Sequence, residues 1–339
     1  MRTAILLALL FLPILAHAQD VPDKDVHVRV SPDVTTGIEG TTEFPTIQMA
    51  LDHHPFPAPG GRVFIEIAPG TYHERLNITQ NHPNITLLGM GLSPQDVVIT
   101  NSLNAKQAGG TFFTETVEVS GSGFEADNVT FENTAGNTGQ AVAVAVRADR
   151  SVFKRCRFLG HQDTLFADYG RQYYVDSYIE GGVDFIFGNA AAVFDHTEIH
   201  ANGPGYLTAQ SRTSADQRTG YVVLDSKVTS GLDPLSASDA RHTGIFLGRP
   251  WRPYSRVVYI DAELPADVRS EGWNNWNNPA NERTAWYAEF NNKGPGADPS
   301  VRVLWSHQLT AAEAKHFYPR IFLAGTDHWN PIAAAAKLP

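Results

Sequence analysis

Two aspartates draw attention by where they sit and how far apart they are. Asp184, in "GGVDFIFGN", interrupts what otherwise reads as a buried strand. An isolated ionised carboxylate there would cost several kcal/mol or take up a proton, so it needs a partner or a task. Asp163, in "GHQDTLF", precedes Asp184 by 21 residues, and Gln140 of "GQAVAVAV" precedes Gln162 by 22. If one turn of a repeating coil takes about that many residues, two carboxylates and two amides converge on one patch of surface. Neighbouring carboxylates do not both ionise cheaply, so one keeps its proton at a pH where the other is charged. That is the electrical arrangement of an acid beside a nucleophile. The same pair would serve as a polar ladder or a calcium bridge, although calcium sites gather more oxygen ligands than this. At a separation near ~5 Å it would also suit a retaining glycosidase. Arg249, in "FLGRPWRPYSRVVYI", offers a planar fork of donors able to hold a carboxylate ionised and oriented. Trp251 beside it, and Trp273 and Trp276 in "EGWNNW", offer flat faces suited either to core packing or to the apolar faces of sugar rings.

For these residues to meet, the chain must return to the same place once per period. The apolar segments "SVFKRCRF" (151–158), "YYVDSYI" (173–179), "AVFDHTEI" (192–199), "YVVLDSKV" (221–228) and "VVYIDAEL" (257–264) repeat one pattern, an apolar run, a polar step and a closing apolar residue. The closing residues Phe158, Ile179, Ile199 and Val228 are 21, 20 and 29 positions apart, and Phe131 lies 27 before the first. Short strands at a loose period of this size indicate a solenoid of stacked coils. The predicted fold is all-β, a single-stranded right-handed parallel β-helix with short capping helices. A β-sandwich would need hairpin turns far more often. Helical patterns are confined to 44–54, with Ile47, Ala50 and Leu51 on one face, and to 310–318, which opens with a Thr N-cap and a Glu three residues on. Both are expected to cover the solenoid's ends.

Composition narrows the remaining classes. The chain opens with Arg2, an apolar run from Ala4 to Leu15 and a small-x-small Ala16-His17-Ala18, which reads as a secretory signal over residues 1–18. The run is too short to span a bilayer, no later stretch is a membrane anchor, and residues 19–339 are expected to form one domain. Secretion implies an extracellular protein, or a periplasmic one in a Gram-negative host. With 26 basic and 36 acidic residues the net charge is −10, which disfavours a nucleic-acid partner. The single cysteine, Cys156, leaves no internal disulfide and reads as a small buried residue. "HERL" at 73–76 lacks the second histidine of a zinc-protease helix, there is no Gly-x-Ser-x-Gly elbow, and no histidine cluster suggests a metal.

Taken together, the motifs resemble the pectin methylesterases, or pectinesterases, over nearly the whole chain after residue 18. The resemblance is carried by "TIQMALD", "IAPGTYHERL", "GSGFEADNVTFENTAG", "GQAVAVAV", "CRFLGHQDTLF", "GGVDFIFGNAAAVF", "LGRPW" and "YAEFNNKGPGA". "QDTL", "VDFIFG" and "LGRPW" in that order are specific. The family fold is the parallel β-helix that the spacing predicts. The resemblance implies that Asp184 is the nucleophile, that Asp163 is the general acid and then base, and that Gln140 and Gln162 hold the oxyanion. It implies that Arg249 orients the nucleophile. Trp251, Trp273 and Phe185 resemble the family's sugar-contacting aromatics, Thr111 aligns with a substrate-contacting threonine, and Phe166 borders the same site.

The activity so implied is removal of methyl esters from the galacturonate C6 carboxyls of homogalacturonan, with no metal or organic cofactor, by a chain expected to be monomeric. Departures occur at Phe166, where the family commonly has Tyr, at Gly182, where Thr is usual, and at Glu115, which replaces a small residue. Gly139 stands where plant members often have His. The alternatives are another acyl ester or thioester as substrate, a glycosidase or lyase, and a catalytically silent carbohydrate-binding solenoid.

Overall fold

The computed structural model describes residues 24–34, 42–231 and 244–339. The expected signal segment, 1–18, lies outside them. The chain winds into a right-handed parallel β-helix whose coils each contribute up to three short strands. In the coil from 151 to 167 these are Ser151–Lys154, Arg157–Leu159 and Leu165–Ala167. Every pairing between coils is parallel, so the equivalent strands stack into three walls. The coil spacing predicted from closing residues is the observed register: Phe131 pairs with Phe158, Phe158 with Ile179, Ile179 with Ile199, and Ile199 with Val228.

Because one coil lies directly over the next, like residues stack inside. Phe131 and Phe158 are 5.6 Å apart between ring centroids, Phe153 and Tyr174 4.9 Å, and Tyr174 and Phe194 4.8 Å. Strands of three to five residues need sharp corners between them. At the corner between the first and second walls, Asn128, Arg155, Asp176, His196, Asp225, Asp261 and Asn291 all adopt φ between 44° and 60°. Five of the seven are Asn or Asp, the non-glycine residues that tolerate the left-handed region best. The second corner, between the second and third walls, carries Asp163 (φ 65°) and Asp184 (φ 51°).

The N-terminal helix, Ile47–His53, starts at the Thr46 N-cap and buries Ile47, Ala50 and Leu51 in the interior of the first coil, as expected of an end cap. The C-terminal helices differ from expectation. Ala311–Ala314 begins with the predicted capping box of Thr310 and Glu313. The chain then runs along the outside of the first wall instead of across the end. Ala314, Phe317, Leu323, Ala335 and Leu338 bury against Val152, Tyr173, Val193, Val222, Val258 and Ala288, which face outward from successive coils. That outer face is apolar and would otherwise meet water, so covering it is favourable.

Candidate active site

The site forms where the second corner turns. Gln140 bridges Gln162, Gln162 bridges Val183, and the N–H of Asp163 donates to the carbonyl of Val183 at 3.2 Å. Three successive coils therefore present Gln140, then Gln162 and Asp163, then Asp184 at one corner, as the 21- and 22-residue spacings require. The left-handed φ of both aspartates breaks the strand pleat there, and each carboxylate leaves the barrel wall outward. Both remain mostly covered, at 9% and 6% exposure.

Arg249 reaches Asp184 from the coil on the far side. Its Nε donates to Oδ1 at 2.8 Å and its Nη2 to Oδ2 at 2.6 Å, a two-pronged charge-assisted pair. The guanidinium lies between two rings, 3.8 Å from the centroid of Tyr206 and 3.7 Å from that of Trp276. Burial raises both carboxyls above their ordinary range. Asp163 is pushed up to about 8 by burial and by the charge of Asp184, against an opposing pull from Arg249. Asp184 is raised by burial, but the Arg249 fork works directly against that rise. The pair thus loses its first proton from Asp184, and Asp163 keeps its own to higher pH.

The amides of Gln140 and Gln162 are half-buried and hydrogen-bond to none of the described residues, so they are free to donate outward. The Gln140 carbonyl accepts from the N–H of Ala105, which seats the segment 102–116 over the site. Thr111 lies on that segment, half-buried, at the start of the 3-10 turn Thr111–Phe113. The buried Asn133 amide ties the segment down, reaching the carbonyls of Leu103, Thr114 and Val142 at 3.0–3.1 Å.

An aromatic floor extends along the outer face of the third wall. Phe112 packs on Phe166 at 4.9 Å, Phe166 on Phe187 at 4.6 Å, and Phe187 on the half-buried Trp251 at 6.0 Å. Val142, Ala145, Ala209 and Trp276 complete this satellite cluster. Beneath Phe166 lies Arg147, 5.2 Å from its centroid and paired with the buried Glu115 at 3.3 Å. The acidic departure at Glu115 is therefore paired within the wall, where Arg147 is shared with Glu118 and Asp168 and Arg75 also approaches Glu115.

Two expected sugar contacts are corrected. Phe185 is fully buried and points inward over Gly181, where an added Cβ would stand 2.3 Å from the Phe185 Cβ. Trp273 is 1% exposed and sits in the core, 4.5 Å from Tyr287, with its Nε1 donating to Glu289. The accessible rings on the outer face are instead Phe112 and Trp251, lying over the buried Phe166 and Phe187. Phe187 was detectable: it follows Phe166 by 21 residues, the same coil step as the aspartates. Tyr206 gave no such signal, because it pairs with Val183 across register shifts that break the coil step.

Among the described residues one group could gather a metal ion, Asp195, His196 and Asp225 at the first corner. There the Asp195 carboxylate is already engaged by His196 and by the Tyr173 hydroxyl. A surface hollow of about 1270 Å³, lined in part by Phe64, Met90, Asp127 and Tyr178, is also at that corner and holds none of the acid-pair residues. An open groove on a solenoid is shallow, so volume is a poor guide to chemistry here.

A parallel β-helix with this corner is compatible with more than one carbohydrate-directed chemistry, and known proteins of similar sequence and fold narrow the class. Residues 33–326 match the family model described as Pectinesterase. Pectinesterase 31 of Arabidopsis thaliana is 40% identical over 307 residues, 87% of this chain and 92% of that protein. The solved pectin methylesterase from carrot superposes with a TM-score of 0.81 at 34% identity, covering 93% of this chain and 97% of that one. A pectin methylesterase solved in complex with a hexasaccharide is similar with a TM-score of 0.71 at 26% identity, over 90% and 98% of the two chains. The chain belongs to the pectinesterase family, and it is an esterase.

Proposed function

We propose that the protein is a secreted pectin methylesterase that hydrolyses the methyl esters of galacturonate C6 carboxyls in homogalacturonan. The observation that carries this reading is the Arg249 fork on Asp184 beside a second carboxyl, Asp163, held protonated to about 8. The carrot enzyme and the hexasaccharide complex support pectin as the polymer. The aromatic floor suits the apolar faces of sugar rings.

Ionised Asp184 attacks the ester carbonyl carbon, and the carbonyl π electrons move onto oxygen. The amides of Gln140 and Gln162 hold that oxyanion; one such donor typically lowers the barrier by ~2.7–4 kcal/mol. As the intermediate collapses, the bond to the methoxy oxygen breaks and Asp163 supplies the proton that makes methanol. An acyl-enzyme remains on Asp184. Water, deprotonated by the now ionised Asp163, attacks the same carbon, releases the Asp184 carboxylate and leaves a free galacturonate carboxyl. Asp163 ends the cycle protonated again, and no metal or organic cofactor takes part.

The amides favour this over a glycosidase, whose oxocarbenium-like transition state has no oxyanion to hold. Methanol release from highly methylated homogalacturonan, with reducing ends counted in parallel, tests the reading. Methanol without new chain ends, abolished in Asp184→Asn, is the expected result. New reducing ends, an ultraviolet-absorbing unsaturated product, or full activity in Asp184→Asn would overturn it.

A further inference from the structure

The Arg249 fork is only as good as the direction in which the guanidinium points. All its donors lie in one plane, so whatever fixes that plane fixes the fork. In this structure two rings lie against the guanidinium, with centroids 3.8 Å away for Tyr206 and 3.7 Å for Trp276, while its Nε and Nη2 donors are left to Asp184. Each ring is itself anchored to the strands it serves. Tyr206 pairs with Val183, the residue before Asp184, and with Phe246, three before Arg249, and stacks on the Phe246 ring at 5.3 Å and 10°. Trp276 stands on a turn with φ 60°; its N–H donates to the Asn274 side chain, and the Asn274 N–H donates to the carbonyl of Gly248. The Tyr206 hydroxyl and the Trp276 indole N–H bond to none of the described residues, so the faces of these rings are what the structure uses.

We propose that Tyr206 and Trp276 are positioning residues that clamp the guanidinium of Arg249 and keep its fork closed on Asp184. This rests on the reading of Asp184 as the nucleophile. A guanidinium between two aromatic faces keeps its stacking attraction without losing its in-plane donors. An arginine without the clamp spreads over several rotamers, and the carboxylate meets the fork only part of the time.

The test is the pH dependence of kcat for methanol release by the full-length enzyme carrying Tyr206→Leu, Tyr206→Phe or Trp276→Leu, with melting curves on each. Asp184 faces Asp163 from the preceding coil, Arg249 from the following ones and the neutral phenol of Tyr287 from the interior. Of these only Arg249 favours the ionised form. A loosened guanidinium therefore raises the pH at which Asp184 ionises and moves the acid limb of the profile upward. Each leucine variant is expected to lower kcat about tenfold, keep KM within about twofold and shift the acid limb up by about one pH unit. Tyr206→Phe keeps the ring and should retain the wild-type profile. A severalfold rise in KM with kcat and acid limb unchanged would make the rings sugar platforms and overturn the clamp. So would leucine variants indistinguishable from wild type. If Tyr206→Leu does not fold, Trp276→Leu carries the same test from a half-exposed turn. Asp184→Asn run alongside separates the two readings: activity there defeats the nucleophile assignment, whereas an inactive Asp184→Asn beside unperturbed leucine variants defeats the clamp alone.

Discussion

Asp163 and Asp184 leave neighbouring coils at a single corner, and only Asp184 is gripped by an arginine. The asymmetry makes one carboxyl an acid at a pH where its neighbour is a base. Since burial and the adjacent charge push Asp163 up to about 8, methanol release is expected to fall as pH rises through about 8. A pH–rate profile that stays flat or climbs to pH 10 would contradict the assignment of Asp163 as the acid.

The same displacement has a stability consequence with a definite sign. Asp163 binds its proton more tightly folded than unfolded, so its contribution is fully present below about pH 4 and is lost progressively as pH rises toward about 8. Asp163→Asn removes that dependence. The variant should melt higher than wild type at pH 8, by more than about 2 °C, and the difference should shrink toward pH 4. Equal spacing of the two melting curves at all pH values would refute the shift.

Gln140→Ala and Gln162→Ala each remove an unengaged amide from the surface of the corner. Neither should alter folding. Each is expected to lower kcat by about 10²–10³-fold with a smaller effect on KM, as for the loss of one oxyanion donor. Steady-state kinetics on methylated homogalacturonan checks this; a change confined to KM would mean the amides only bind sugar.

Arg249→Ala would leave the Asp184 carboxylate covered and unpaired. Breaking a buried pair from one side costs about 3–5 kcal/mol, and Asp184 relieves part of that by keeping its proton. Denaturant melts at neutral pH should register the loss, and activity should fall with it. Arg249→Lys keeps the charge but not the fork, so it should recover stability more than rate.

Trp251 and Trp273 look alike in the sequence and should behave oppositely. Trp251→Ala removes a ring from the groove and is expected to raise KM with little change in melting temperature. Trp273→Ala opens a core cavity against Tyr259 and Tyr287 and should destabilise by about 3–5 kcal/mol. The reverse pattern would overturn the placement of both.

The solenoid was legible because a parallel stack transmits its period directly into sequence: Phe131, Phe158, Ile179 and Ile199 are register partners at the predicted steps. The corner was legible for the same reason, since Asp163 and Asp184 inherit that step. What failed was inward against outward. Alternation along a strand is a guide only while the pleat continues, and the pairing is irregular between Val183 and Ile186, so Phe185 and Ile186 both turn in and Phe187 turns out. Trp273 misled through its polar neighbours in "EGWNNW", which say nothing of the bridge to Gly248 that draws it inside. The C-terminal helices carried a legible start at Thr310 but no local sign of which surface they would cover.

That strap changes what kind of folding unit the solenoid is. A stack in which each coil touches only its neighbours would fray from its ends, one coil at a time. Here Phe317 stacks on Trp286, Arg256 lies over the ring of Phe322, Arg171 pairs with Asp327 near the Leu323 and Ala324 carbonyls, and the Lys154 ammonium reaches the Leu338 carbonyl. A segment of fewer than thirty residues thus spans the coils from 286–290 back to 151–154. No coil in that stretch can open without stripping its share of the strap, so the corner bearing Asp163 and Asp184 lies inside one cooperative block and not in a chain of independent links.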